Sequence, residues 1–240
     1  NGMRNLDQRL RNEAVIAEAR KLQAQGHLAA ADQRLQPLGN QPNILLIRAD
    51  WQATAKHDEQ ANALYDAVLK QQPDNLEARF GKVNVLISMR QPAASDALRQ
   101  IDTKILREKM TIDQLRTLGN DWMTLKEYVR AKTAFDALRL RLTQAPMDMD
   151  TALAWRDTAR ATARQGDPIQ SLLENGNAMV AAGLAQPSMS AEAMTASTQS
   201  QPQDDWLARS IRTDYAQLYQ QQTTSVTLAQ DISQSSGTDG

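Results

Sequence analysis

The chain has 240 residues, and its 27 basic and 28 acidic side chains leave a formal net charge of −1. This balance gives no overall field that would favour nucleic acid or an anionic membrane as a partner. The chain has no cysteine, so disulfide bonds do not stabilise it. Its apolar runs, such as residues 44–47 and 180–182, are far too short to span a bilayer. Aromatic residues make up only 4% of the sequence, which favours close-packed helices over a β-sandwich.

Helical spacing of apolar residues predicts two helices at the start of the chain, over residues 6–25 and 28–38. Ala19 in the first helix lies twelve residues before Ala31 in the second. The connection between the helices is short, so they must fold back on each other. This pattern predicts an antiparallel helix hairpin over residues 6–42.

The same arrangement recurs over residues 43–73. Ala49 lies twelve residues before Ala61, and Tyr65 follows four residues later, on the same face of the second helix. Pro73 ends the hairpin, because proline cannot continue a helix. A second hairpin with the same internal spacing is therefore predicted.

A third and less regular hairpin is predicted over residues 74–110. Asp74 and Glu77 have the spacing of a capping box at its start. Arg99 stands where the pattern requires a bulky apolar residue, and the second helix, over residues 93–108, is longer than its counterparts. This irregularity predicts a local change in the direction of the superhelix across residues 75–110.

The fourth hairpin carries the most complete motif. Leu118, Gly119 and Trp122 are followed by Ala131, twelve residues after the glycine, and by Phe135. This is the tetratricopeptide pattern of paired helices, with the small residues where the two helices cross and the large ones around that crossing. A side chain larger than those of the small residues would push the helices apart at the crossing.

A fifth hairpin follows, with Trp155, Ala159 and Ser171 in the corresponding positions. The predicted fold is all-α, a tetratricopeptide-repeat superhelical solenoid of antiparallel helix hairpins over residues 1–184. Its units are residues 6–42, 43–73, 74–110, 111–146 and 150–183. The predicted repeat core consists of Ala19, Ala31, Ala49, Ala61, Tyr65, Leu118, Gly119, Trp122, Ala131, Phe135, Trp155 and Ala159.

The composition changes after the repeats. Residues 185–203 are rich in Ser, Thr, Gln, Ala and Met and are predicted to be a linker. One more helix is predicted over residues 204–222, covering the last hairpin. Apolar and polar residues then alternate, which is typical of a strand, so residues 223–240 are predicted to be the start of a truncated β segment or a disordered tail.

Two histidines and two carboxylate pairs are the candidates for chemistry. His27 and His57 lie in separate hairpin turns, and we interpret them as turn residues, because a zinc site needs three or four convergent ligands. The carboxylate pairs lie at helix starts, where a carboxylate caps the helix, and they are Asp148 with Asp150 and Asp204 with Asp205. No catalytic, cofactor or metal site is therefore predicted, and the chain is not expected to be an enzyme.

The tryptophans offer the one candidate ligand surface. Trp122, Trp155 and Trp206 are interpreted as core residues. Trp51 lies two residues after Ala49, outside the motif positions, and we expect it to be partly exposed. An exposed tryptophan could stack on a sugar or bind a peptide, although scattered surface aromatics are also common.

The C-terminal sequence carries a more specific resemblance. Residues 206–219 read W-L-A-R-S-I-R-T-D-Y-A-Q-L-Y, and T-T-S-V-T-L-A-Q-D-I-S and S-S-G-T-D-G follow. This resembles the junction, in the C subunit of bacterial cellulose synthase complexes, between a periplasmic tetratricopeptide array and an outer-membrane β-barrel that exports the glucan. The chain starts at Asn1 rather than at methionine, so we expect it to be a segment of a longer protein.

The resemblance implies a periplasmic scaffold, part of an outer-membrane protein, in a cellulose or other exopolysaccharide export complex. The implied partners are other subunits of the complex, peptidoglycan or the glucan chain, with no nucleic acid, and with membrane contact only through a following barrel. The alternative is a cytoplasmic tetratricopeptide adaptor that binds a peptide. Such adaptors hold a peptide carboxylate with repeated basic residues, whereas the lysines here are scattered, at Lys56, Lys82, Lys126 and Lys132.

Overall fold

The computed structural model describes residues 2–199 and 201–236, with side chains described up to residue 224. Every regular element in these residues is helical, which confirms the predicted all-α class. A short 3₁₀ turn (Gln36–Leu38) follows the second helix. The α-helices are α1 (Gly2–Ala24), α2 (Leu28–Leu35), α3 (Pro42–Thr54), α4 (Asp58–Gln71), α5 (Leu76–Ser88), α6 (Ala93–Ile101), α7 (Lys104–Lys109), α8 (Ile112–Thr124), α9 (Tyr128–Thr143), α10 (Met149–Arg164), α11 (Pro168–Ala181), α12 (Ala191–Ala196) and α13 (Trp206–Ser236).

The chain divides into two compact units, which we call the N-terminal unit (Asn1–Thr103) and the C-terminal unit (Lys104–Gly240). In the N-terminal unit α1 packs on α2, α3 on α4, and α5 on α6. In the C-terminal unit α8 packs on α9, α10 on α11, and α13 on α11. Five helix hairpins therefore form at the places where the twelve-residue spacing predicts them.

All five hairpins share one turn. In each, an N–H one or two residues before the second helix donates to a carbonyl five residues earlier, as His27 does to Leu22 at 2.9 Å and Gln91 does to Leu86 at 2.9 Å. The residue just before that donor has a positive φ, which is the geometry of a Schellman helix end. The positive-φ residues are Gly26, Lys56, Arg90, Lys126 and Gly166. Because the turn has the same conformation each time, the two residues at the helix crossing are also the same number of positions apart in the sequence.

Glycines at two helix crossings make room for aromatic rings. A Cβ added at Gly119 would lie 2.7 Å from the ring of Phe135, which is closer than side chains pack. A Cβ added at Gly81 would lie 2.3 Å from the ring of Tyr65. Gly119 is part of the sequence motif, whereas Gly81 lies outside the motif positions and was not predicted to have this role.

The third hairpin departs from prediction in three ways. The helix expected over residues 93–108 is divided into α6 and α7, with Asp102 in a non-helical conformation after α6. Aspartate favours such breaks because its side chain competes for backbone hydrogen bonds. Leu98 rather than residue 99 fills the core and is fully buried. Asn75, not Asp74, caps α5 and accepts a hydrogen bond from the N–H of Ala78 at 2.9 Å. The change of superhelix direction stays a prediction.

Side chains cap three helices of the C-terminal unit, and the caps at Asp148 and Asp205 agree with the helix-start positions expected from the sequence. Thr111 and Gln114 make a reciprocal capping box at the start of α8, with hydrogen bonds of 3.0 and 3.1 Å. Asp148 caps α10 by accepting from the N–H of Asp150 at 3.0 Å. Asp205 accepts from the N–H of Ala208 at 2.8 Å before α13. These caps fix where each helix begins.

The strand predicted after residue 222 is wrong, because α13 continues to Ser236. The segment contains no glycine or proline between Trp206 and Ser236, so nothing in its backbone chemistry stops a helix that has already formed. The β preference of its valine and threonines is a weaker tendency that context overrides. The turn predicted over residues 237–240 lies outside the described residues.

The predicted linker contains structure of its own. The short helix α12 forms within residues 185–203, and Ser190 caps it by accepting from the N–H of Ala193. The buried guanidinium of Arg212 donates to Asp204 at 2.9 Å and also to the carbonyl of Ser197. These bonds connect the end of the predicted linker to α13.

Candidate functional site

A polar trough runs along α10 in the C-terminal unit. Arg156, Arg160 and Arg164 follow at intervals of four residues, so their side chains share one face of the helix. They line adjoining depressions of about 240, 250 and 350 Å³. We define the α10 trough by its polar lining, which is Asn120, Arg156, Asp157, Arg160, Arg164 and Asp214.

Asp157 is the buried acceptor at one wall of the trough. Its carboxylate accepts from the side-chain amide of Asn120 at 2.8 Å and from Arg156 at 2.8 and 3.1 Å. Arg116 on α8 donates to the same carboxylate at 3.3 Å. Only 6% of the Asp157 side chain is exposed. This carboxylate therefore positions donors from α8 and α10 along one wall.

Asp214 on α13 is the acceptor at the opposite wall. Arg160 donates to its two oxygens at 2.6 and 3.2 Å, in the paired geometry that suits a guanidinium and a carboxylate. This hydrogen bond raises the pKa of Arg160. Ser210 accepts from both Arg156 and Arg160 at 3.0 Å. Helix α13 is thus joined to α10 through the arginines of the trough.

An exposed aromatic ring lies near each end of the arginine row. The guanidinium of Arg164 lies 5.5 Å from the ring centre of Tyr128, and that of Arg156 lies 5.3 Å from the ring centre of Trp206. Tyr128 is 42% exposed and Trp206 is 58% exposed. Arg156 and Arg164 are eight residues apart on α10, or about 12 Å along a helix. Trp206 is therefore not the core residue predicted from the sequence; it precedes the apolar face of α13.

The trough combines donors and acceptors with little net charge. Arg156 and Arg160 each pair with a carboxylate, Asp157 or Asp214, within the trough. Arg164 adds a cation that lies over the ring of Tyr128. Such a surface can hydrogen-bond a polar ligand in several directions without selecting strongly for an anion.

A second charged network lies beneath the surface between α9, α10 and α11. Glu174 is fully buried and accepts from Arg139 at 2.8 Å, from Thr162 at 2.9 Å and from Gln170 at 3.0 Å. Burial alone would lower the pKa of Arg139, but its hydrogen bond to Glu174 raises it. Because the carboxylate is fully engaged by these donors, the network holds three helices together.

The N-terminal unit presents a different kind of surface. The hydroxyl of Tyr65 donates to Asp50 at 2.5 Å. Burial raises the pKa of Asp50, although the hydrogen bond from Tyr65 opposes this. Burial and the nearby charge of Asp50 raise the pKa of Glu77. Two carboxylates therefore lie close together on this side of the unit.

The structure buries all twelve residues of the predicted repeat core, which are Gly119 and eleven hydrophobic residues with at most 3% exposure each. Trp51 is partly buried and packs against the cluster of Ala19, Leu35 and Ile44. It therefore offers less surface than Tyr128 or Trp206, which the sequence did not indicate as ligand residues. The arginine spacing on α10 was the available signal for the trough.

The other candidate residues occupy structural positions. His27 and His57 precede α2 and α4 at hairpin turns, and His57 shares a hydrogen bond of 2.7 Å with Gln52. Asp204 accepts from the N–H of Gln201 at 2.8 Å, which together with Arg212 lowers the pKa of Asp204.

Over residues 2–199 and 201–236 no group of three or more metal-ligating side chains comes together. Within the same ranges no helix is both long enough and apolar enough to cross a bilayer.

Known structures with similar folds are tetratricopeptide proteins. A tetratricopeptide repeat protein from Parabacteroides merdae superposes with a TM-score of 0.55 and 13% identity, covering 90% of this chain and 78% of that one. MamA from Desulfovibrio magneticus RS-1 superposes with a TM-score of 0.52 and 16% identity, covering 70% of this chain and 93% of that one. At these identities the likeness establishes the fold, and the tetratricopeptide prediction is confirmed.

Sequence comparison gives a more specific similarity. The chain is 31% identical to cellulose synthase operon protein C of Escherichia coli (strain K12) over 239 residues. It is also 31% identical to the protein of that name from Salmonella typhimurium over 240 residues. The match covers 99% and 97% of this chain respectively, but the chain spans only about one fifth of either relative. No protein-family model matches the chain. The resemblance to the cellulose synthase C subunit is confirmed.

Proposed function

We propose that this chain is a periplasmic scaffold segment in a bacterial cellulose or related exopolysaccharide synthesis and export complex. The observation that carries the proposal is the similarity to cellulose synthase operon protein C over nearly the whole chain. Helix hairpins expose extended faces to which partner proteins or a polymer can bind. The proposed role is to hold subunits of the complex together or to guide the polymer toward an outer-membrane pore.

The role is proposed to be non-catalytic. Two buried carboxylates of the C-terminal unit, Asp157 and Glu174, are each engaged by guanidinium and other donors. These donors come from neighbouring helices, so the two carboxylates hold α8, α9, α10 and α11 together. Binding and positioning, rather than acid–base chemistry, are what these groups support.

The lysines do not favour the cytoplasmic adaptor alternative. Lys56 and Lys126 are the left-handed residues of two hairpin turns. Lys82 pairs with Asp66, and Lys132 pairs with Asp136 at 2.8 Å. These positions do not form the repeated basic row that would hold a peptide carboxylate.

The proposal is tested by deleting the segment that corresponds to residues 1–240 from the natural protein in its own host. We expect extracellular polymer, measured as glucose released by cellulase, to fall to the level of a strain that lacks the whole protein. Protease should cleave the segment only after the outer membrane is permeabilised. Normal polymer yield, or cleavage only after the inner membrane is lysed, would contradict the proposal.

A further inference from the structure

We infer that the α10 trough binds a neutral β-linked glucan chain. This inference rests on the proposed function and adds to it a ligand-binding site. The trough lies within the C-terminal unit and is lined by guanidinium, amide and carboxylate groups from α8, α10 and α13. Exposed rings lie near both ends of its arginine row. Three properties of this surface favour a neutral polyhydroxylated chain.

The first property is the pairing of charges. Arg156 is held by Asp157, and Arg160 is held by Asp214, so an anionic ligand would have to compete with a carboxylate that is already in place. Hydroxyl groups can use the remaining capacity without breaking these pairs, because a guanidinium has five N–H donors and a carboxylate accepts several hydrogen bonds. The Arg160 side chain is 52% exposed, so part of this donor set faces solvent.

The second property is the geometry of the polar groups. Guanidinium, amide and carboxylate groups are planar, and each can bond two neighbouring oxygen atoms at once. Asn120, Arg156 and Arg160 are already oriented by hydrogen bonds to buried or partly buried acceptors. A ligand that binds to side chains fixed in this way avoids much of the entropy cost of ordering them.

The third property is the placement of the aromatic rings. The ring faces of a β-linked glucan are formed by C–H groups and pack on aromatic side chains, while its hydroxyls point outward to polar groups. Tyr128 and Trp206 are amphipathic rings, and a neighbouring guanidinium holds each of them in place. An extended chain of several sugars could contact both rings and bond the arginine row between them.

Trp206 makes the inference directly measurable. Trp122 and Trp155 are at most 3% exposed, and Trp51 lies partly buried in the N-terminal unit, so Trp206 is the tryptophan that a ligand in the trough would shield. We expect cellohexaose to shift the tryptophan emission of the chain to shorter wavelength and to protect it from iodide quenching. The change should disappear in Trp206→Phe and persist in the matched control Trp51→Phe.

Affinity should fall in variants of the other ring. Titration calorimetry with cellohexaose should show a three- to tenfold weaker affinity for Tyr128→Ala, roughly the effect of losing one aromatic contact. Val129→Ala is the matched control, because Val129 adjoins Tyr128, is 83% exposed and does not line the trough. Tyr128→Phe keeps the ring and should retain most of the affinity for cellohexaose. Together with the Val129→Ala control, this result would assign the weaker affinity of Tyr128→Ala to the lost ring.

Several outcomes would overturn the inference. These are no response to cellohexaose at millimolar concentration, loss of the response in Trp51→Phe instead of Trp206→Phe, and tighter binding of a glutamate-rich peptide than of cellohexaose. In the host, full-length protein with Tyr128→Ala and Trp206→Ala should give reduced polymer. Normal polymer from this variant, together with loss in the deletion strain, would reject the trough as the site and leave the proposed function standing.

Discussion

Asp50 in the N-terminal unit and Arg160 in the C-terminal unit occupy equivalent positions, each directly after the small residue at a helix crossing. Burial raises the pKa of Asp50, although the hydroxyl of Tyr65 donates a hydrogen bond to its carboxylate. Arg160 is bonded by Asp214 in a paired geometry. The repeat motif therefore fixes how the helices cross but not the charge that the adjoining position presents.

The two units also differ in how buried polar groups are satisfied. In the C-terminal unit guanidinium groups compensate the buried carboxylates of Asp157, Glu174 and Asp204. In the N-terminal unit the neutral hydroxyl of Tyr65 donates a hydrogen bond to Asp50. The ring of Tyr65 fits there because Gly81, which has no Cβ, lies against it. Removing a partner should consequently be most costly where a buried charge is left without compensation.

The largest expected effect is that of Arg139→Leu. Glu174 would remain buried without its guanidinium, and the free energy of unfolding should fall by about 3–5 kcal/mol, as for other broken buried ion pairs. Urea denaturation followed by circular dichroism measures this. The double variant Arg139→Leu with Glu174→Leu removes both charges and should recover most of the loss; no recovery would show that packing rather than charge dominates.

The next effect concerns Gly81→Ala in the N-terminal unit. The new Cβ would lie 2.3 Å from the ring of Tyr65, so the ring must move and its bond to Asp50 must weaken. We expect a loss of about 1–3 kcal/mol, as for other overpacked cores, despite the better helix propensity of alanine. Gly176→Ala is the matched control in the C-terminal unit, where the nearest atom is at 3.4 Å, and it should be neutral or stabilising.

A smaller effect is expected at the hairpin turns, and it should be the same in both units. Lys56 and Lys126 have φ values of 63° and 61°, a region that glycine enters without steric cost. Lys56→Gly and Lys126→Gly should each raise the free energy of unfolding by about 1 kcal/mol. Lys56→Ala, which keeps a Cβ at positive φ, should give no such gain in the same denaturation experiment.

The smallest effect is a difference in pH dependence. The pKa of Asp50 is raised in the folded chain, so its contribution to stability is greatest below its ordinary pKa of 3.8 and is lost as pH rises through the folded value. Asp50→Asn keeps an acceptor for Tyr65 and should stabilise the chain at neutral pH by less than about 1 kcal/mol, with no gain in acid.

The opposite sign is expected at Asp136 in the C-terminal unit. Burial alone would raise its pKa, but hydrogen bonds from Lys132 and Arg139 lower it. Its contribution is therefore present at neutral pH and lost as pH falls through the folded value. Asp136→Asn should destabilise at neutral pH and have no effect in acid, as measured by thermal unfolding across pH. The same sign for both variants would contradict the comparison.

The twelve-residue spacing allowed the hairpins to be predicted because one turn geometry imposes it throughout. The spacing of Gly119 and Phe135 likewise follows from direct contact between them. Two parts of the fold could not be read in this way. Asp102 breaks a helix whose apolar pattern continues, and residues 223–236 remain helical although their pattern alternates, because continuity with a preceding helix outweighs local preference.

The trough was only partly visible in the sequence. The interval of four residues between Arg156, Arg160 and Arg164 indicates a shared face, but their partners Asp157 and Asp214 are known only from packing. Asp214 lies on α13, 54 positions after Arg160 in the sequence. Trp206 was interpreted as a core residue, whereas it is exposed and its contact with Arg156 depends on tertiary structure.

The shared turn also bears on how such a chain can change its length in evolution. The positive-φ residues of successive hairpin turns are separated by 30, 34, 36 and 40 positions, so the variation in repeat length lies in the helices and loops and leaves the turns alike. An in-frame recombination between two turns could, for example, delete residues 126–165. The deletion would join α8 to α11 through a turn with the same backbone conformation as the turns it replaces. Unequal recombination at these points could therefore add or remove a whole hairpin without requiring a new connection to be invented.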